Sequence, residues 1–414
     1  MQKIYFKTFG CRTNLYDSQV MMSVLKDYVI TQNEADADIV VVNSCTVTNG
    51  ADTHVRSYIS HLEKTADAKI YLTGCGAHTK GKKLLDEGRV AGVFGQSEKQ
   101  KINTLLKKED GFFELGDLNH IDDAVVDEFV GKSRAFIKIQ EGCSFRCSYC
   151  IIPFVRGDAR SMDESRILQQ VERLASHGFG EFILTGTNVG SYGEDKKTSL
   201  ARLMKKLSLI RGVRRIRLGS IEPVQISDEF REILDEPWLE KHLHIALQHT
   251  SPKMLTLMNR RNLYKKDRDL FEFLSSKGYA IGTDFITGHP GESEEIWTEA
   301  IANAKDLPLT HIHTFTYSKR DATPSAFMKE QVSNKIAKAR LHQIEDIVKL
   351  KNFEFRKTTQ GELNVLIESF KDGYYYGLDQ YFNKIAVKSD LDLIGNWLSI
   401  SKYDVKEEMN YARI

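Results

Sequence analysis

Short runs of β-branched and aromatic residues recur along this chain, and stretches with apolar residues at helical spacing separate them. In the first hundred residues, runs near 2–8, 38–42 and 69–73 predict strands, with a further strand at GVFG (92–95). LYDSQVMMSVLKDY (15–28) and EKQKINTLLKK (98–108) carry the helical spacing. The alternation predicts a small doubly wound α/β sheet. Residues 109–130 are acidic and irregular, and read as a linker.

Six more strand-like runs follow: AFIKI (135–139), EFILTG (181–186), RIRLGSIEP (215–223), LHIAL (243–247), YAIGTDFITG (279–288) and THIHTFTY (310–317). Amphipathic stretches such as DESRILQQVERLASHG (163–178) separate them, which predicts a parallel α/β barrel or part of one. Residues 333–357 form one long helical pattern. Beyond it, GELNVLIES, YYYGLDQYFNKIAV and GNWLSISKYD are short strands with Gly, Asp and Asn turns, as in a small β-barrel. The pattern divides the chain into 1–108, a linker at 109–130, then 131–357 and 358–414.

A length of 414 residues fits this division, because single cores stop growing well below it. Net charge is +1, so any polyanion site is a local patch rather than a global field. No apolar run approaches the roughly 20 residues that cross a bilayer. MQKIYFKTFGC lacks the order of a signal peptide. The expectation is a cytoplasmic protein with no membrane partner. Six cysteines are too few for a disulfide scaffold, and clustered cysteines in a reducing compartment are metal ligands or redox groups.

Half of them lie in GCSFRCSYC (142–150), as Cys143, Cys147 and Cys150. A structural zinc site needs a fourth ligand, but no further Cys is near and no His occurs between His120 and His177. Disulfide pairing leaves one cysteine over. A [4Fe–4S] cluster held by three thiolates keeps one iron open for the amine and carboxylate of S-adenosylmethionine (SAM), and an electron from the cluster then splits SAM to a 5′-deoxyadenosyl radical. This spacing, entered from the AFIKI strand, resembles that of the radical-SAM enzymes. The resemblance implies that Tyr149 lies near the adenine.

Cys11, Cys45 and Cys75 are remote from one another, yet each follows a strand: KIYFKTFG, DIVVVNS and KIYLTG. Carboxyl ends of parallel strands share one edge, so the three converge by topology. They predict a second [4Fe–4S] cluster with its own open iron. With GCRTNLYDSQ, NSCTVTNGAD and TGCGA, the chain resembles the methylthiotransferases of the radical-SAM superfamily over nearly its whole length. The resemblance implies an N-terminal domain with the auxiliary cluster, a central open (β/α)6 partial barrel, and a C-terminal TRAM domain that binds RNA. It further implies two SAM molecules and two [4Fe–4S] clusters facing one cavity. One SAM methylates a sulfur on the auxiliary cluster, the other gives the radical, and a C–H bond becomes C–S–CH3. An aromatic C–H has no useful acidity, so acid–base chemistry cannot replace the radical.

Several motifs fall at strand ends around the barrel mouth. GTNVGSYG (186–193) supplies Gly186, Thr187 and Asn188, which the resemblance assigns to the amino end of SAM; the bland reading is a βα loop. Ser220 and Glu222 suit a ribose or amino group, or cap the next helix. Gln248 is a further ligand candidate. His289 stands where the family has an aromatic, as a stacking surface or an acid–base group. Arg156 and Arg160 suit a phosphate, a carboxylate or cluster sulfides, and Arg260 and Arg261 add local positive charge for the substrate. Tyr374, Tyr375, Tyr376, Tyr381, Phe382 and Trp397 divide between base stacking and core packing, and basic residues of 253–268 and 335–357 would form a stripe for RNA. NSCTVTNGAD resembles the branch acting on N6-threonylcarbamoyladenosine-37 of tRNA, in the anticodon stem-loop. The other branches act on isopentenyladenosine-37 or on an aspartate of a ribosomal protein, and a non-catalytic RNA-binding iron–sulfur protein is the remote alternative. An electron donor such as flavodoxin or ferredoxin and a sulfur source are implied partners.

Overall fold

The computed structural model describes all residues except 123, 127, 128, 130–132 and 360. Strands Gln2–Thr8 (β1), Tyr28–Ile30 (β2), Ile39–Ser44 (β3), Lys69–Gly74 (β4), Gly92–Phe94 (β5) and Phe112–Glu114 (β6) form a wholly parallel sheet in the order β2-β1-β3-β4-β5-β6. Helices Arg12–Val24 (α1), Asn49–Thr65 (α2), Lys82–Asp86 (α3) and Ile102–Leu105 (α4) cover it. Val40 and Val42 point to the α2 and α3 side, whereas Ile39 and Val41 point to the α1 and α4 side. This is the doubly wound arrangement expected, with β2 and β6 as additional edge strands.

Beyond the sheet, Ala135–Lys138 (β7) leads to a small antiparallel pair, Gln140–Glu141 (β8) and Arg160–Ser161 (β9), with Ile152–Arg156 (α5) between them. Glu164–Ser176 (α6), Glu181–Thr185 (β10), Leu200–Ser208 (α7), Arg215–Leu218 (β11), Asp228–Arg231 (α8), His242–His244 (β12), Pro252–Leu257 (α9), Tyr264–Ser276 (α10), Ala280–Thr287 (β13), Glu294–Asp306 (α11) and His311–Thr316 (β14) follow in order. Strands β7, β10 and β11 pair in parallel, as do β12, β13 and β14. Bridges Ile216–Leu239 and Ile221–Ile245 join the two halves. Six parallel strands with helices outside make the open barrel, and each expected run supplies one strand. Among the described residues no helix is long and apolar enough to cross a membrane.

The expected linker is less of a spacer than its composition suggests. Residues 112–114 are β6, and Asp122, Val126 and Phe129 are buried. Val126 and Phe129 join Tyr16 and Val20 of α1 in the core of the barrel. The division expected at residues 130 and 131 lies outside the described residues.

The long helix Asn334–Thr358 (α12) leads to six strands: Leu363–Lys371 (β15), Tyr374–Leu378 (β16), Lys384–Lys388 (β17), Trp397–Ile400 (β18), Asp404–Val405 (β19) and Asn410–Arg413 (β20), ordered β18-β15-β16-β17-β20-β19. Asp372 and Gly373, both at positive φ, close the two-residue β15–β16 hairpin. This small curled sheet is pinned to the underside of the large barrel. Arg217 pairs with Glu181 at 2.7 Å and with Glu240, and donates to the Asp379 carbonyl at 2.6 Å. Phe382, at φ +67, stacks on His242 with centroids 4.9 Å apart.

Glu240 is buried, and burial pushes its carboxyl from 4.5 up to about 6 in spite of Arg217. A raised folded value means that the native state holds the proton more tightly than the unfolded chain. The penalty is absent below about pH 4.5 and complete above about pH 6, so stability falls as pH rises through that window. Glu240→Gln should flatten this part of the stability–pH profile by about 2 kcal/mol, measured as urea midpoints at successive pH values; an unchanged slope would exclude Glu240 as its source.

Candidate active site

Strands β1, β3 and β4 are neighbours, so the turns leaving their carboxyl ends adjoin. Cys11, Cys45 and Cys75 occupy those turns. Gly10 has φ +93, and a Cβ there would lie 2.5 Å from Cys45 Cβ and 2.8 Å from its Sγ. No other residue combines that backbone with that approach. Asn14 staples two of the turns, donating to the Phe9 carbonyl at 2.8 Å and the Ser44 carbonyl at 3.0 Å. Asn43 donates back to the Asn14 carbonyl at 2.8 Å.

The second trio sits in the loop after β8. Gly142 has φ +72, and a Cβ there would lie 2.0 Å from the Asp158 carbonyl oxygen. The amide of Cys143 donates to the Gly157 carbonyl at 3.0 Å and that of Ser148 to the Met258 carbonyl at 2.9 Å. The loop is thus fixed from both ends.

All six cysteines line one cavity of about 370 Å³ between the first sheet and the barrel mouth. Burial pushes the Cys45 and Cys150 thiols up to about 12. Such thiols stay protonated at neutral pH unless a metal takes the proton's place. Donors are aimed at the sulfurs: Arg156 Nε at 3.2 Å from Cys75 Sγ, Arg260 Nη1 at 3.5 Å from Cys147 Sγ, and Asn188 Nδ2 at 3.7 Å from Cys143 Sγ. Two trios of soft ligands with N–H donors on their sulfurs fit iron–sulfur clusters.

Of the other predicted residues, Tyr149, Gly186, Thr187, Asn188, Ser220, Glu222, Gln248 and Arg260 line the same cavity. Thr187 Oγ1 accepts from the Gly142 amide at 3.0 Å, and Asn188 Oδ1 is buried without a partner among the described residues. Glu222 pairs with Arg260 at 2.9 Å, and burial raises its carboxyl despite that cation. His289 does not line the cavity. It is buried behind Tyr149, with Nε2 3.1 Å from Ser148 Oγ, and burial lowers its value to about 4. Arg160 is spent on the carbonyls of His120, Arg156 and Asp158, and Arg261 lies 4.0 Å over the Phe145 ring, outside the lining. Arg156 lines the cavity, but its guanidinium is committed to protein groups, namely Asn14, Asp17, Cys75 and Glu141. Of the four arginines expected at the site, Arg156 and Arg260 line the cavity, whereas Arg160 and Arg261 do not.

The residues expected at a nucleic-acid surface divide between packing and exposure. Tyr375 packs in the C-terminal core, Phe382 is stacked on His242, Tyr381 meets Phe355, and Trp397 lies under Arg215. Arg340 is tied to Glu292 and Glu294, Lys351 to two carbonyls, and Arg356 to the β19–β20 loop. These basic residues hold α12 in place, whereas Lys335 and Lys338 are exposed.

A buried ionic network escaped sequence reading. Lys138 Nζ meets Asp17 at 3.0 Å, Asp122 at 2.6 Å and Glu141; Lys99 meets Asp17 at 3.4 Å and Asp122; Arg156 meets Asp17 and Glu141, both at 2.9 Å. Burial alone would raise the carboxyls, but the cations outweigh it: Asp122 falls to about 2 and Asp17 lower still. Its sequence signal was charge inside the apolar run leading to the cysteine loop, at Lys138 and Glu141. Because Lys138 fills the space between the three carboxylates, they do not form a cation site. His244 Nε2 and His313 Nδ1 flank Asp284 Oδ1 at 3.1 and 3.6 Å, with their rings stacked at 4.7 Å, His244 buried and His313 exposed.

Comparison with known proteins gives a consistent result. The model of Uncharacterized protein family UPF0004 matches residues 3–95, and that of the Radical SAM superfamily matches 137–304. A Helicobacter pylori protein, provisionally named a methylthiotransferase without a substrate, is 54% identical over 100% of both chains. Threonylcarbamoyladenosine tRNA methylthiotransferase MtaB of Bacillus subtilis is 32% identical, covering 97% of this chain and 93% of its own. Ribosomal protein uS12 methylthiotransferase RimO of a Thermoanaerobacter species is 33% identical over 91% and 90%. In fold, the chain is similar to the radical S-adenosylmethionine methyltransferase TsrM from Kitasatospora setae (TM-score 0.61, 14% identity, 78% and 77% coverage).

The two glycines give a paired test. After anaerobic reconstitution, Gly10→Ala should lose about half of the bound iron, from the first trio, and Gly142→Ala about half, from the second. Mössbauer or EPR spectra should distinguish the two losses; full iron in either variant would show that the strained turn is dispensable.

Proposed function

This chain belongs to the radical-SAM methylthiotransferase family, and from that premise we propose that it converts N6-threonylcarbamoyladenosine at position 37 of tRNA to its 2-methylthio derivative. It is a methylthiotransferase using SAM and iron–sulfur cofactors. The observation that carries the two-centre reading is the lining of one cavity by both cysteine trios. When bound, the clusters and SAM supply the one-electron activation of an inert carbon and the sulfur that reaches it.

The protein's own groups do the rest. In this reading Cys143, Cys147 and Cys150 hold the radical cluster, and Cys11, Cys45 and Cys75 the auxiliary one. Gly186, Thr187 and Asn188 receive the amino end of SAM, with the free Asn188 Oδ1 as an acceptor. Ser220, Glu222 and Gln248 line the wall where its ribose would lie. Glu222 is oriented by Arg260, which also reaches Cys147. Tyr149 is braced from behind by His289. Near Cys45, Arg320 pairs with Asp52 at 2.6 Å and the Asn49 amide donates to Ser318 Oγ at 3.3 Å, joining the start of α2 to the segment after β14 beside the chamber.

Support for the threonylcarbamoyl branch comes from the MtaB relatives of Bacillus subtilis and Aquifex aeolicus, both 32% identical. We assign 1–108 to the auxiliary-cluster domain, 131–357 to the radical domain and 358–414 to RNA contact, with a cytoplasmic location, a flavodoxin- or ferredoxin-like electron donor and a separate sulfur source.

Mass analysis of tRNA nucleosides from cells with and without the gene tests the substrate. Loss of 2-methylthio-N6-threonylcarbamoyladenosine is expected. An unchanged nucleoside profile, or loss confined to the isopentenyladenosine derivative or to modified ribosomal protein, would overturn it. In vitro, Cys45→Ala should abolish methylthio product while keeping SAM cleavage to 5′-deoxyadenosine, and Cys147→Ala should abolish both.

A further inference from the structure

Arg156 belongs to the barrel domain, six residues after Cys150, yet its side chain ends among the residues of the first sheet. It is buried, with 1% of its surface exposed. Nε donates to Cys75 Sγ at 3.2 Å, Nη1 to Asp17 and Glu141, both at 2.9 Å, and Nη2 to Asn14 Oδ1. The same Asn14 side chain donates to Phe9 and Ser44, the residues leading into Cys11 and Cys45. One guanidinium therefore reaches all three turns of the first trio, one directly and two through a single residue. Through Glu141, two residues before Cys143, it also reaches the second trio's loop.

Charge supports the same reading. The network has three cations, Lys99, Lys138 and Arg156, and three anions, Asp17, Asp122 and Glu141. It balances before any thiolate is counted. Only Arg156 among the three cations donates to a cysteine sulfur. Removing its charge would leave excess negative charge beside the trio in a dry interior, where such a charge acts strongly.

We propose that Arg156 is the positioning residue of the auxiliary centre, a cationic hydrogen-bond donor supplied by the radical domain that orients Cys75 and raises the reduction potential of the cluster bound there. This rests on the reading that Cys11, Cys45 and Cys75 hold a cluster. Hydrogen bonds to sulfur and net local charge are established determinants of cluster potential. The auxiliary centre is then a site shared by two domains.

The test uses the full-length chain carrying Cys143→Ala, Cys147→Ala and Cys150→Ala, so that only the auxiliary centre can report. Anaerobic reconstitution should load about four irons, and EPR-monitored titration gives the potential. Adding Arg156→Gln should shift the potential negative, with the reduced fraction at a fixed poise falling about tenfold relative to the oxidised one, or about 59 mV for one electron. Arg156→Lys, which keeps the charge but not the planar fork, should shift less. If Arg156→Gln does not retain iron, Arg156→Lys carries the comparison. Iron-loaded variants with the unaltered potential would overturn the role of Arg156 and leave the cluster assignment standing. A background protein that binds no iron would overturn the cluster assignment itself.

Discussion

Charge removed from water must be paired, and six charged side chains meet in the interior between the first sheet and the barrel. Asp17 comes from α1, Lys99 from the segment before α4, Asp122 from the connection, Lys138 from β7, Glu141 from β8 and Arg156 from α5. Breaking such a set by removing one partner costs several kcal/mol, because the others stay buried. The pairing therefore has few alternatives. It fixes the sheet against the barrel at the point where the two cysteine trios must share a chamber.

The chamber inherits its geometry from that junction. Strand order β1-β3-β4 gathers three turns, and Gly10 lets the first of them come within contact of Cys45. On the opposing side, Gly142 turns the other loop under Asp158. Neither set of ligands needs long flexible loops. Short turns on rigid strands lose little freedom when a cluster binds, and they hold their donors in place for the sulfurs.

How much of this was legible in the sequence depended on which physical signal each element carries. The six barrel strands were, because each is a β-branched run with a helical pattern beside it. So was the convergence of Cys11, Cys45 and Cys75, since parallel strands deliver their ends to one edge. Strands β2 and β6 were not, because Tyr28 continues the spacing of the helix before it and β6 lies in the acidic stretch that reads as a linker. The connection read as a spacer, since acidic residues are ordinarily solvated; Asp122 is instead drawn inward by Lys99 and Lys138. Arg160 and Arg340 illustrate a related limit of composition, as sequence does not distinguish a guanidinium that meets a ligand from one that satisfies carbonyls and carboxylates. His289 read as a ligand contact because it follows a strand end, yet it supports Tyr149 from behind. Among the aromatics of the C-terminal sheet, those that stack on other domains carry no mark that separates them from bases' partners.

Phe382 has a wider implication for how the molecule can evolve. Held at φ +67 against His242, next to the Asp379 carbonyl that Arg217 occupies, it acts as a key fitted to one lock in the barrel floor. The C-terminal module is consequently not an interchangeable tethered arm. Exchanging it between relatives would require carrying the loop at 379–383 together with the histidine and arginine beneath it, so lineages that alter what this module grips are expected to change those positions as a set.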